Sequence, residues 1–148
     1  MKRPADLFDR DQEWADLAAF ATQTGVGTHL ALVRGRRRQG KSFLLRRLAA
    51  GTSGFYYQAV EEERLQALES FGAALGEHLG VPGGRLALDS WDAAFTALED
   101  LPETGVPRVV VLDELPYLLN HSPELPSMLQ RLIDRSRDRG APLRLVVC

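Results

Sequence analysis

Cysteine is almost absent from the sequence: its 148 residues include a single one, Cys148, at the last position. A lone cysteine excludes an internal disulfide and fits a reducing compartment, so we expect a cytoplasmic protein. Long hydrophobic runs are absent too, and no segment approaches the roughly 20 apolar residues that a membrane span needs. The sequence therefore predicts no association with a membrane.

An excess of charge of one sign is also lacking, since the net charge is −2 and the pI is about 5.9. This balance gives no electrostatic argument for nucleic acid, so DNA is a possible partner that this segment does not support. Lysine is scarce, because only Lys2 and Lys41 among the 18 basic residues are lysines. In a chain that otherwise uses arginine, Lys41 indicates a position where a planar guanidinium does not serve.

Strand-like and helix-like segments alternate along the chain, which predicts an α/β fold with a mainly parallel sheet. The continuous apolar run at 108–112 is typical of a strand that is buried on both faces. The other predicted strands are residues 29–33, 55–60 and 143–148. The predicted helices are residues 9–20, 41–50, 61–79, a segment capped by Asp89 or Ser90, and 123–139. Glu61 to Glu63 would place negative charge at the positive end of the third of these helices.

Residues 35–42 read Gly-Arg-Arg-Arg-Gln-Gly-Lys-Ser and match the phosphate-binding pattern G-x-x-x-x-G-K-[ST] in full. The glycines allow backbone angles that turn N–H groups inward into an anion-binding nest. A helix beginning at Lys41 adds its unpaired N–H groups, Lys41 reaches the β- and γ-phosphates, and Ser42 offers a hydroxyl to Mg²⁺. The predicted nucleotide-binding set here is Gly35, Arg36, Arg37, Arg38, Gln39, Gly40, Lys41, Ser42 and Phe43. The three arginines fill variable positions, and we expect their side chains to point outward.

A second motif follows the apolar strand at 108–112, where the sequence continues with Asp113 and Glu114. The carboxyl ends of parallel strands line the ligand crevice, so Asp113 is expected beside the phosphate loop. A carboxylate there can hold Mg²⁺ directly or through water. Glu114 can then orient or deprotonate the water that attacks the γ-phosphate. We therefore predict a metal site at Ser42 and Asp113, with Glu114 and Lys41 as catalytic residues.

Together these motifs resemble the Walker A and Walker B motifs of the additional-strand P-loop ATPases. Residues 7–14, Leu-Phe-Asp-Arg-Asp-Gln-Glu-Trp, further resemble the Phe/Arg/Glu box that precedes the phosphate loop in the archaeal-type ATPase family, a relative of the AAA+ and STAND ATPases. The strings at 112–118 and 125–134 are similar to the Walker B strand and the following helix of that family. The resemblance covers most of the chain, and its Walker motifs are the more specific part.

The resemblance implies a three-layer P-loop fold whose sheet has the order 5-1-4-3-2, with residues 143–148 as the fourth strand. It implies that the fifth strand, a helical lid and a C-terminal effector domain lie beyond Cys148. We therefore expect residues 1–148 to be the N-terminal part of an ATPase domain, with a homo-oligomer possible. It also places Phe8 and Arg10 near the adenine, although the same segment reads equally well as the start of a capped amphipathic helix.

The function that these motifs predict is binding of ATP with Mg²⁺, and hydrolysis of ATP by the complete protein acting as a nucleotide-driven switch. A small-molecule kinase on the same loop is an alternative, which the Asp113-Glu114 pair disfavours. A GTPase is disfavoured because the sequence has no N-K-x-D motif. A third alternative is a nucleotide-sensing or DNA-associated regulatory module with negligible turnover.

Overall fold

The strands of the protein form a parallel sheet. The computed structural model describes residues 1–36, 38–101 and 107–148. Within these ranges the strands are β1 (Thr28–Leu32), β2 (Phe55–Gln58), β3 (Arg108–Asp113) and β4 (Leu143–Val147). All neighbouring strands are parallel, in the order β1-β4-β3-β2. The predicted α/β class is confirmed, and the order agrees with the 1-4-3-2 part of the implied sheet.

Helices cover both faces of the sheet and complete three layers. They are α1 (Asp11–Thr22), α2 (Lys41–Gly51), α3 (Arg64–His78), α4 (Trp91–Glu99), α5 (Leu115–His121) and α6 (Leu125–Arg139). Side chains of α1 and α2 pack with Val109, Val111 and Val146 on one face. Those of α3 to α6 pack with Val110, Leu112 and Leu145 on the other. None of the helices in the described ranges is long and apolar enough to cross a bilayer.

The two central strands are the most deeply buried elements. All five residues of β4 are buried, as are the last five residues of β3. Burial on both faces explains why these strands are nearly continuous apolar runs. The edge strands are less buried: β2 alternates between buried and accessible residues, and in β1 only Thr28 is buried. The crevice at the carboxyl ends of β3 and β4 therefore has a rigid floor.

A buried arginine interrupts the apolar sequence of β4. Arg144 is 0% exposed, and its guanidinium donates to the carbonyls of Gln23 (3.1 Å), Gly25 (3.0 Å) and Gly27 (3.2 Å). Burial lowers the pKa of this guanidinium from its usual value. The contacts satisfy carbonyls of the turn between α1 and β1, of which that of Gly27 also accepts a hydrogen bond from Leu143 N (3.2 Å). Arg144 thereby joins the start of β1 to the centre of the sheet.

The start of the third predicted helix differs from the structure. The helix predicted to begin at Glu61 is α3, which begins at Arg64, because the backbone is still extended at Glu63 (φ −62°, ψ 152°). The preceding glutamates serve the connector instead: Glu61 lies 2.8 Å and Glu63 3.6 Å from the ring nitrogens of His121. The prediction of an acidic helix start is therefore wrong.

The short helix α5 was not predicted from the sequence. It begins directly after Glu114, with Pro116 in its first turn, and it spans seven residues. A segment of that length is too short for a helical repeat of apolar residues to stand out. The predicted cap of α4 is confirmed at Ser90, whose Oγ accepts a hydrogen bond from Ala93 N (3.2 Å).

Candidate functional site

The loop after β1 leads directly into the first turn of α2. Gly40 precedes the helix in the left-handed conformation (φ 73°), which a glycine adopts without a steric penalty. The first helical hydrogen bond runs from Leu44 N to Gly40 O (3.0 Å). The N–H groups of residues 41–43 therefore have no acceptor within the helix and carry its partial positive charge. The first turn of α2 therefore offers unpaired N–H groups, while binding of an anion by the loop stays a prediction.

Lys41 lies across the loop that precedes it. Its Nζ donates to the carbonyl oxygens of Gly35 (2.9 Å) and Arg36 (3.0 Å). Both hydrogen bonds are exposed to solvent, and they hold the ammonium against the loop that precedes α2.

The carboxyl end of the sheet brings the second motif to the same edge. Leu32 of β1, Val147 of β4 and Leu112 of β3 occupy one row across the sheet. The chain continues from this row as the phosphate loop, Cys148 and Asp113, respectively. Backbone hydrogen bonds extend the row by one step, from Val33 N to Val147 O (2.8 Å) and from Cys148 N to Leu112 O (3.0 Å). Since neighbouring strands lie about 4.8 Å apart, the loop and Asp113 leave β1 and β3 about 10 Å apart, on either side of β4.

Asp113 is buried, with 1% of its surface exposed, and both of its carboxylate oxygens have donors. Oδ1 accepts a hydrogen bond from Glu114 N (3.0 Å), and Oδ2 accepts one from the hydroxyl of Tyr56 (2.7 Å). The Cys148 thiol is a third hydrogen-bond partner of this carboxylate, which has about four lone-pair directions in all, so capacity for a further contact remains. Asp113 is thereby held in one orientation while it keeps the capacity to bind a cation or a water.

Glu114 lies in a left-handed backbone conformation (φ 55°) between β3 and α5. The chain turns here from β3 into α5, whose Leu118 packs with α3, α4 and α6. Glu114 lines a cleft of about 360 Å³ together with the end of that loop. The other residues that line this cleft are Arg38, Gln39, Gly40, Lys41 and Ser42. The predicted catalytic carboxylate and most of the predicted phosphate-binding residues therefore share one space.

A second cleft, of about 520 Å³, adjoins the first on the side of the N-terminal segment. Its walls include Phe8, Arg10 and Phe43, and it shares Gln39 and Gly40 with the first cleft. The Arg10 guanidinium donates to the carbonyl of Gln39, which ties the N-terminal segment to the phosphate loop. Phe8 is 83% exposed, and the guanidinium of Arg47 stacks on the ring of Phe43 (5.0 Å).

Most of the predicted site residues line the two connected clefts. Outside them, the carbonyls of Gly35 and Arg36 contact Lys41, and Asp113 ends β3 beside Glu114. Arg38, whose side chain was expected to point outward, is among the residues that line the cleft with Glu114. The prediction for Arg37 falls outside the described residues, and the roles assigned to all of these side chains stay predictions.

Cys148 and Tyr56 belong to the site although the sequence analysis did not assign them to it. Burial raises the pKa of the Cys148 thiol to about 11, with a further rise from the charge and hydrogen bond of Asp113 and an opposing effect of Lys41. Burial also raises the pKa of Tyr56 to about 12, followed by its hydrogen bond to Asp113. The place of Cys148 at the end of the predicted fourth strand, residues 143–148, was the one available signal; for Tyr56 there was none.

The oxygen donors at this edge fit magnesium. Asp113 supplies a buried carboxylate with free lone pairs, and Ser42 supplies a hydroxyl in the first turn of α2. Within residues 1–36, 38–101 and 107–148, no three His, Cys, Asp or Glu side chains gather as a metal site. Magnesium does not need such a cluster, because it usually binds through one or two carboxylates of the protein together with substrate phosphates and water.

Comparison with known proteins gives relatives of sequence and of fold. No protein-family profile matches the chain. An uncharacterised protein of Methanocaldococcus jannaschii is 28% identical over 103 residues, which are 70% of this chain and 21% of that protein.

Three solved structures are similar in fold. The Walker-type ATPase of Pyrococcus abyssi is 24% identical with a TM-score of 0.68, over 98% of this chain and 46% of that one. Cdc6p of Pyrobaculum aerophilum is 22% identical with a TM-score of 0.60, over 97% and 39%. The ORC2 protein of Aeropyrum pernix, solved as ADPNP–ADP complexes, is 21% identical with a TM-score of 0.53, over 99% and 42%. The chain thus spans less than half the length of each.

Proposed function

Because the chain has the fold of the Walker-type P-loop ATPases, we propose that it binds ATP with Mg²⁺ at residues 35–43. The observation that carries this proposal is the cleft lined jointly by residues 38–42 and Glu114. The unpaired N–H groups of the first turn of α2 and the ammonium of Lys41 would hold the β- and γ-phosphates. Magnesium would be held by Ser42 and Asp113, and when bound it neutralises phosphate charge.

We propose that the adenine lies in the adjoining cleft between Phe8 and Phe43. The two rings offer apolar faces, and the Phe8 ring is largely exposed, so that a base could cover it. Arg10 fixes the relative position of the two clefts through its contact with the Gln39 carbonyl. A base in this cleft would therefore be connected to phosphates in the other without a rearrangement of the backbone.

Hydrolysis is the second part of the proposal. Glu114 follows β3 and is accessible from the cleft, which it lines together with the end of the phosphate loop. A carboxylate in that place can orient the attacking water and accept its proton. The magnesium dependence, the coupling of the nucleotide to further domains as an AAA+ or STAND-type switch, and the role of residues 1–148 as one part of an ATPase domain belong to this proposal as well.

Calorimetry of Mg·ATP binding to the wild-type chain and to Lys41→Ala tests the binding part. Loss of a hydrogen-bonded charge costs about 1.5–3 kcal/mol, so the affinity should fall about tenfold to a hundredfold. Lys2→Ala is the matched control, because it removes the other lysine from the exposed N-terminus. Failure of the wild type to bind Mg·ATP, or equal affinities for Lys41→Ala and wild type, would overturn the assignment.

Single-turnover hydrolysis by Glu114→Gln tests the catalytic part. We expect this variant to retain Mg·ATP binding and to hydrolyse about 10²- to 10⁴-fold more slowly than wild type. Glu69→Gln, at an exposed position of α3, should be unchanged. Binding without any hydrolysis by the wild type would favour a nucleotide-sensing module, and equal rates for Glu114→Gln and wild type would remove Glu114 from the mechanism.

A further inference from the structure

The Asp113 carboxylate receives a hydrogen bond from a strand that carries none of the predicted site residues. Tyr56 lies on β2, at the edge of the sheet, and its hydroxyl donates to Asp113 Oδ2 at 2.7 Å. We infer that Tyr56 is a positioning residue that orients Asp113 for magnesium, an inference that rests on the proposed function. Tyr56 is not among the described residues that line the cleft with Glu114, and its hydroxyl donates to Asp113, so it would act through Asp113.

The strand register explains how a residue on β2 reaches this carboxylate. Gln58 pairs with Asp113 and Tyr56 pairs with Val111, so Tyr56 is diagonal to Asp113. Alternate residues of a strand share a face, which places Tyr56, Gln58 and Asp113 on the side of the sheet that α2 covers. A diagonal neighbour is within reach of a long aromatic side chain.

Two of the three hydrogen-bond partners of the Asp113 carboxylate hold different oxygens, and the third partner is the Cys148 thiol. Glu114 N holds Oδ1, and the hydroxyl of Tyr56 holds Oδ2. With one donor removed, the carboxylate gains freedom to rotate about its Cβ–Cγ bond. Asp113 is 1% exposed, so bulk water has little room to replace the tyrosine hydroxyl. Partners of this kind are the means by which proteins orient metal ligands.

Tyr56 is itself held by the helix that begins with Lys41. The guanidinium of Arg46, on α2, lies 5.3 Å from the centre of the Tyr56 ring. Arg46 also donates to Gln58 Oε1, and the Tyr56 hydroxyl lies 3.5 Å from that oxygen. The helix that carries the phosphate-binding lysine and the strand that carries the metal-binding aspartate are thus linked through one tyrosine. Binding of Mg·ATP would require a constant distance between Lys41 and Asp113.

The neighbouring tyrosine provides a built-in comparison. Tyr57 points to the opposite face, where its ring packs edge-on against Phe71 at 5.0 Å. It is buried in the core with α3, away from Asp113. Removing its hydroxyl therefore changes a tyrosine of the same strand without touching the carboxylate.

The experiment is a titration of Mg²⁺ into chain and ATP, with the affinity for ATP in EDTA measured in parallel. For Tyr56→Phe we expect the Mg²⁺ midpoint to rise about tenfold, the lower end of the effect of losing a partner of a metal ligand. The affinity for ATP in EDTA should change less than about twofold, since the phosphate-binding residues are untouched. Tyr57→Phe should leave both quantities at the wild-type value.

A coupling test separates positioning from a general loss of structure. In an Asp113→Asn background, adding Tyr56→Phe should shift the Mg²⁺ midpoint no further, because the group through which Tyr56 acts is gone. An additional shift in that background would overturn the inference. So would a Tyr56→Phe protein that loses affinity equally with Mg²⁺ and in EDTA, or one with the wild-type Mg²⁺ midpoint. A wild-type chain that binds ATP with no dependence on Mg²⁺ would instead overturn the metal part of the proposed function.

Discussion

Left-handed backbone conformations at residues other than glycine concentrate around the phosphate loop. Among the described residues they occur at Asp9 (φ 50°), Arg38 (φ 62°), Glu114 (φ 55°) and Ser53 (φ 51°). The first three line the two clefts, and Ser53 lies in the turn between α2 and β2. Each costs of order 1–3 kcal/mol and persists because its surroundings hold it. The left-handed residues at the site thus lower the stability of the fold, and the surrounding structure holds them in place.

The exposed ring of Phe8 leads to a prediction about the nucleotide base. Phe8→Ala should weaken ATP binding by about 1 kcal/mol or more, the scale of a base stacked on an aromatic ring. The affinity for inorganic tripolyphosphate should stay the same, because that ligand has no base. Calorimetry with both ligands measures the difference.

Leu65→Ala is the control for Phe8→Ala, since Leu65 is 68% exposed on α3. It should bind both ligands like the wild type. A Phe8→Ala protein that lost affinity for ATP and tripolyphosphate equally would place Phe8 outside a base site.

At the residue scale, sequence predicts what local spacing encodes. Residues 35–42 and Asp113 were identifiable because loop, helix and strand end each require particular residues next to one another. Tyr56 and Cys148 were not, because their relation to Asp113 arises from the lateral order of strands. A diagonal contact between β2 and β3 leaves no periodic trace in either segment.

The central strand β4 gives a prediction at the scale of an element. Arg144→Met should keep roughly the volume of the side chain but remove the donor to the carbonyls of Gln23 and Gly25 and one of the two donors to the carbonyl of Gly27. Gln23 and Gly25 are exposed, so water can replace the lost donor there, and we expect the free energy of unfolding to fall by about 1.5–3 kcal/mol, the scale of hydrogen bonds to a charged group. Urea unfolding followed by circular dichroism measures the loss.

Arg131→Met on α6 is the matched control, because its side chain is 59% exposed and its nearest carboxylate oxygen, on Asp92, is 3.9 Å away. An exposed pair of this kind contributes at most about 1 kcal/mol. Equal stabilities of Arg144→Met and Arg131→Met would show that the turn between α1 and β1 does not depend on Arg144.

At the element scale, the limits of the sequence are visible in the connector after β2. The three consecutive glutamates resemble the start of a helix, yet the backbone remains extended through Glu63. Their partner His121 comes from the end of α5, a helix whose presence the sequence did not reveal. Tertiary contacts with a distant element therefore decided where α3 begins, whereas the long amphipathic part of α3 was predictable from its own repeat.

The edge strand β1 determines how whole molecules meet. Leu30 is 49% exposed and Leu32 is 54% exposed, on a strand whose one described neighbour is β4. Unpaired strand edges with apolar side chains favour association with another chain. We expect the 148-residue chain to self-associate, and a Leu30→Lys, Leu32→Lys double variant to shift towards the monomer in sedimentation experiments. Leu65→Lys, on an exposed helix face, should sediment like the wild type.

Alkaline pH should destabilise the whole molecule through three buried or partly buried acids. Burial raises the pKa of Tyr56 and Tyr57 from 10.0 to about 12, and that of Cys148 from 9.0 to about 11. The folded protein therefore holds these protons more tightly than the unfolded chain does. The stabilisation is fully present below about pH 9 and is lost progressively as the pH rises towards 12.

The urea midpoint measured from about pH 8 to about pH 11 should decline accordingly. A Tyr56→Phe, Tyr57→Phe double variant should show a shallower decline, because it lacks two of the three groups. A midpoint that stayed level or rose over this range would contradict the assigned direction.

The ammonium of Lys41 is already engaged by two carbonyl groups of its own loop, those of Gly35 and Arg36. An arriving polyphosphate would therefore not meet a free cation; it would take the ammonium over from the peptide. The heat released on binding is consequently a difference between two sets of contacts and understates the attraction itself. The same lysine also tethers the turn on which the N–H groups are mounted. Replacing Lys41 would therefore both remove a charge and remove the hydrogen bonds that hold the turn.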